Sequence, residues 1–132
     1  MNQLIATVSK IDTMDKLSIV TFMHEDTQMR MMSLGLNSKI SKDTQVKLGF
    51  KSSSIMLAKN LSGDISTSNQ LPCIIVNIDS GELLSSIELN FGEAKIQSLI
   101  TKESSIKMNL QKGDKVLALI KASELSILEV LS

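Results

Sequence analysis

Two lysine-led tripeptides sit seventy residues apart: Lys51-Ser52-Ser53 and Lys121-Ala122-Ser123. Each interrupts an apolar run of strand length, Val46 to Phe50 in one case and Val116 to Ile120 in the other. Two further polar sets are Thr101 with Ser104, and Ser66-Thr67-Ser68-Asn69. Together these supply hydroxyls, amides, ammonium groups and strand-end backbone N–H groups. A small tetrahedral oxyanion is bound by that chemistry when the donors converge in a sheltered pocket. The plainer alternative is that Ser and Lys decorate strand ends, and composition alone would favour it.

Other chemistries find no support. His24 is the only histidine and lies beside Glu25 and Asp26, where a solvated side chain is expected rather than a metal ligand. Cys73 is the only cysteine, which rules out an intramolecular disulfide; it reads as a small buried apolar residue. No Ser-His-Asp or Cys-His set, glycine-rich phosphate loop, zinc spacing or EF-hand occurs. Met23, Met29, Met31 and Met32 are expected to fill a core that has few aromatics, rather than to hold a soft metal. The expectation is a protein that is not an enzyme.

The elements that position these residues are short strands. The chain has 132 residues, 42% hydrophobic, and its only aromatics are Phe22, Phe50 and Phe91. The core is therefore aliphatic. Fourteen basic and fourteen acidic residues cancel, which leaves no electrostatic footprint for nucleic acid or an anionic membrane. A single-strand nucleic-acid binder also needs aromatic platforms and a basic groove. No apolar run reaches membrane-spanning length, and the absence of a leader-like N-terminus with one cysteine suggests a reducing cytoplasm.

Strands are expected at Leu4 to Ile11, Leu17 to Phe22, Met29 to Leu34, Gln45 to Phe50 and Ile55 to Lys59, with room for a helical turn near Asn37 to Ile40. The polar stretch after Asn60 reads as a linker, and then the pattern restarts. Asn2-Gln3-Leu4 recurs as Asn69-Gln70-Leu71, Ile11-Asp12 as Ile78-Asp79, and Leu17-Ser18 as Leu84-Ser85, all at an offset of 67. Ser33-Leu34 matches Ser98-Leu99 at 65, and Lys42, Val46, Lys51 and Ser53 match Lys112, Val116, Lys121 and Ser123 at 70. A repeat of about 65 residues follows. In the second copy Thr101 is placed to N-cap a short helix. The expected fold is all-β: two tandem five-stranded antiparallel barrels, each with a short helical turn, over residues 1–61 and 69–132 with a linker at 62–68.

Asn69-Gln70-Leu71-Pro72 at a strand start, with Gly113-Asp114 and then Ala118-Leu119-Ile120-Lys121-Ala122-Ser123, resembles the Mop or molbindin domain, also called TOBE. The resemblance covers nearly all of the second half and, more weakly, the first. Two in tandem are similar to di-Mop molbindins and to the C-terminal half of molybdate-responsive regulators. The resemblance implies an OB-like barrel per repeat. It also implies binding of molybdate or tungstate at interfaces, and assembly into a homo-oligomer, dimer or trimer. By that resemblance the oxyanion contacts are Ser66, Ser68 and Asn69, then Thr101 and Ser104, then Lys121, Ala122 and Ser123. In the first half they are Lys51, Ser52 and Ser38, with Gly35 where Thr would stand. The family often carries Ser-Ala-Arg before Asn-Gln, whereas this chain has Ser66-Thr67-Ser68. An absent guanidinium removes charge-assisted bonds of about 1.5–3 kcal/mol each. The implied role is storage or homeostasis of the anion in the cytoplasm. The alternative is an oxyanion-sensing or protein-interaction module of a molybdate transport or regulation system, with weak anion sites.

Overall fold

A computed structural model describes all residues, 1–132. The first half lays down β1 (Asn2–Met14), β2 (Leu17–His24), β3 (Thr27–Leu34), β4 (Gln45–Phe50), a 3-10 turn (Ser52–Ser54) and β5 (Met56–Ala58). The second half repeats the series as β6 (Asn69–Ser80), β7 (Leu84–Phe91), β8 (Ala94–Thr101), α1 (Lys102–Lys107), β9 (Lys115–Ile120), a 3-10 turn (Ala122–Glu124) and β10 (Ser126–Val130). Alternation with period two decides which faces are buried. Leu4, Ala6 and Val8 point inward from β1, as do Leu71, Cys73 and Ile75 from β6. Met29 and Met31 are buried core residues as expected, whereas Met23 is only half-buried and Met32, on the other face of its strand, is exposed.

The strands form two five-stranded antiparallel sheets, so the all-β reading holds. Their membership exchanges the last strand of each half. One sheet runs β10-β4-β1-β2-β3 and the other β5-β9-β6-β7-β8. The short β5 therefore pairs with β9 of the second half, Leu57 opposite Ala118, while β10 pairs with β4 of the first, Ile127 opposite Leu48. Gly49 makes room for that docking: a Cβ there would come within 2.6 Å of the Leu128 side chain.

Strand register corrects the repeat. Leu17 pairs with Leu34 and Leu84 with Thr101, so the offset stays at 67 through the third strand. The Ser33-Leu34 match to Ser98-Leu99 at 65 is coincidental, and the position equivalent to Thr101 is Leu34, not Gly35. Each copy has a bulge at the same place, Ser9 and Val76. The offset becomes 70 because the link from β8 to β9 is three residues longer than that from β3 to β4. The longer link holds α1; the shorter one has no helix and makes two turns, Ile40 N–H to Asn37 O at 3.0 Å and Thr44 N–H to Ser41 O at 3.1 Å.

The halves are also braced by side chains. Asn2 donates to Gln97 O and accepts from Gln97 N–H, both at 2.8 Å. Its repeat mate Asn69 accepts from Arg30 N–H at 2.6 Å and donates to Arg30 O at 2.9 Å. Each amide stands in for a strand partner on the exposed edge of the other half, β8 or β3. The buried hydrophobic residues of both halves form one cluster. No helix is long and apolar enough to cross a membrane.

Candidate functional site

Strand exchange brings the two lysine-led breaks together. Each break follows an inward-facing strand end, Phe50 or Ile120, and turns through one 3-10 turn before the crossing strand. The turns meet: Ser54 Oγ donates to Glu124 Oε2 at 3.1 Å. Between them lies a cavity of about 230 Å³ lined by Ser53, Ser54, Met56, Thr67, Leu119, Lys121 and Glu124. It joins three of the polar segments singled out in the sequence: the Lys51-to-Ser54 break, the Lys121 break and the stretch before Asn69. Thr67 is fixed by its carbonyl, which accepts from Gln70 Nε2 at 3.1 Å. Lys121 makes no ion pair with any carboxylate, so its ammonium is free to meet an anion.

Ser53 also lines a neighbouring cleft of about 480 Å³, where it faces Thr101 and Ser104 from the other half. Thr101 caps α1 as expected: its Oγ1 accepts from Ser104 N–H at 3.1 Å and donates to Ser104 Oγ at 2.9 Å. The floor of this cleft is held by buried Ser98, whose Oγ donates to Ile55 O at 2.9 Å. The equivalent cleft of the first half, about 470 Å³, places Ser123 near Gly35, Leu36 and Asn37. Its chemistry differs, because Leu34 replaces Thr101 and Leu34, Met32 and Leu128 are exposed apolar neighbours.

The remaining candidates are placed less directly. Ser66 and Ser68 are exposed on the segment leading to β6, Lys51 is exposed ahead of the first 3-10 turn, and Ser38 is exposed on the β3–β4 link. Ser52 and Ala122 are half-buried in the turns; none of these six lines the three clefts. Asn69 is fully buried with both amide atoms engaged by Arg30, so it positions the neighbouring segment. Sequence reasoning overlooked Ser54, Thr67 and Glu124. Thr67 was visible inside Ser66-Thr67-Ser68. Ser54 and Glu124 share one repeat position, but their contact depends on the strand exchange.

Two other side chains bear on the chemistry. Burial pushes the Cys73 thiol up to about 12, which keeps it protonated and inert at neutral pH. His24 departs from the expected solvated state. Its Nδ1 lies 2.7 Å from Ile5 O, its ring stacks on Phe91 at 5.0 Å, and Nε2 is buried without a partner. The hairpin tip folds back onto its own sheet and onto the equivalent residue of the other half, so His24 is a packing residue.

The model of the TOBE domain matches residues 65–127. A molybdate-binding protein from Sporomusa ovata is 31% identical over 51% of this chain and 100% of its own, with a TM-score of 0.50. The chain belongs to the TOBE domain family. The cytoplasmic molybdate-binding protein ModG, in a crystal form with molybdate bound, superposes with a TM-score of 0.90 at 21% identity. That match covers 96% of this chain and 94% of ModG, so the tandem TOBE fold is shared over the whole chain. No curated protein sequence matches.

Proposed function

We propose that this TOBE protein binds molybdate or tungstate in the cavity between its two 3-10 turns, and that it serves storage or homeostasis of the anion in the cytoplasm. The observation that carries this reading is the convergence of Ser53, Thr67 and the unpaired Lys121 in one cavity, assembled from segments that are far apart in sequence. In the hydrated anion, water donates to every oxygen. Here the Lys121 ammonium would neutralise charge while the Ser53 and Thr67 hydroxyls and nearby backbone N–H groups replace water; Lys51, Ser52, Ser66, Ser68, Ala122 and Ser123 flank these residues in the chain without lining the cavity. The Thr101–Ser104 cleft is a second place for an anion, since Ser53 links it to the first; in the other half Asn37 holds the position of Ser104, with the exposed Ser38 beside it. Both structural relatives are molybdate-binding proteins, which supports the choice of anion. A homo-oligomer, dimer or trimer, is expected to shelter these clefts further. No partner nucleic acid, membrane or catalytic step is invoked.

Calorimetric titration with molybdate, tungstate and sulfate tests this. Lys121→Ala should weaken molybdate binding by about tenfold, the value of one charge-assisted contact. Unchanged affinity would remove the cavity from the account. A second reading, a protein-interaction module with a weak anion site, draws on the absence of an arginine before Asn69 and on the carboxylate of Glu124 in the cavity. Heat from none of the three anions would favour it.

A further inference from the structure

Glu124 stands at the repeat position of Ser54, and the two side chains meet across the cavity at 3.1 Å. With serine at both positions, each side would offer a hydroxyl able to donate. Instead one side presents an ionised carboxylate, which only accepts hydrogen bonds. It has two effects on an anion entering beside Lys121. It accepts the Ser54 hydrogen bond that could otherwise be donated to the anion. It also sets a negative charge against the anion, offsetting the Lys121 ammonium. No lysine or arginine ion-pairs with Glu124 to cancel it.

From this we infer that Glu124 is the specificity-determining residue of the cavity: a built-in charge filter that holds dianions loosely and discriminates among tetrahedral oxyanions by charge. The inference rests on the anion-binding reading above and deepens it. Repulsion between point charges scales with the product of the charges. A dianion such as molybdate or sulfate therefore meets twice the penalty of a monoanion of the same shape, such as perrhenate. The penalty enters affinity exponentially, so the factor for a monoanion is the square root of that for a dianion. The consequence for the protein is a site that fills when its dianion is abundant and empties readily.

The test is calorimetry on the full chain at neutral pH and fixed ionic strength, with molybdate, sulfate and perrhenate as probes. The proteins are the wild type, Glu124→Gln and Glu124→Ser, the last restoring the hydroxyl pair. Glu124→Gln keeps the shape and an acceptor for Ser54 while removing the charge. The expected result is molybdate and sulfate binding about tenfold tighter than wild type, and perrhenate only about threefold tighter. Glu124→Ser should move affinity the same way. Three outcomes overturn the inference. Molybdate affinity unchanged or weaker in Glu124→Gln, with the wild type still binding, sinks it alone. Equal tightening for all three anions would mean that packing, not charge, is responsible. No heat from any anion with any of the proteins removes the anion-binding reading as well.

Discussion

Asn69 carries a role that its residue type did not announce. Repeated with Asn2 at a strand start, it looked like an oxyanion contact, yet its amide pairs with both backbone groups of Arg30 on the edge of β3. An edge strand offers unpaired N–H and C=O groups, and a fully buried primary amide satisfies one of each. Asn69→Ala should destabilise the protein by about 1–3 kcal/mol, the cost of leaving buried polar groups unpaired. Asn69→Asp should cost at least as much, because it replaces the donor to Arg30 O with a second acceptor. Thermal or urea unfolding measures both, and a variant as stable as wild type would refute the brace. Period-two alternation shows that residue 69 points inward. It does not show what lies there, so the type of Asn69 was legible and its partner was not.

Among the elements, α1 shows how a sequence signal and a long-range contact combine. The Thr101 cap was legible, because a threonine at a helix start accepts from the backbone N–H three residues on. What fixes the other end was not. Lys59, just past β5, donates to Met108 O at 3.3 Å and Asn109 O at 3.0 Å, and pairs with Asp114 at 3.0 Å. The strap comes from the other half, fifty residues away. Asp114 accepts from Gln111 N–H at 2.8 Å. That bond first, and the Lys59 ammonium second, hold its carboxyl below the usual range. A carboxyl whose folded value lies below its unfolded value of about 3.9 adds stability above that value and loses it as pH falls through the folded one. The stability advantage of wild type over Asp114→Asn should therefore hold through neutral and mildly acidic pH and shrink as pH drops below about 4. Urea midpoints across that range check it. A constant difference down to the lowest pH would show that Asp114 acts through shape alone.

For the whole molecule, the repeat was legible and the exchange of last strands was not. Met56-Leu57-Ala58 reads as strand in any context, and nothing in three residues says whether β4 or β9 is the neighbour. The exchange has a physical consequence: β5 lies before the link to β6, and its sheet partner β9 lies after it. A protease cut within residues 61–66, which are exposed, should leave the two fragments paired through β5–β9 and β10–β4 and through the common core. Gel filtration of nicked protein should give one peak at the intact mass. Separation of the fragments under native conditions would contradict the topology. The same exchange builds the cavity, because without it Ser53, Thr67 and Lys121 would belong to separate barrels. The measurement that tests this account most directly is calorimetric titration of the full chain with molybdate, for wild type and Lys121→Ala side by side. The account predicts saturable binding that Lys121→Ala weakens by about tenfold. Absence of binding, or binding indifferent to Lys121, would contradict it.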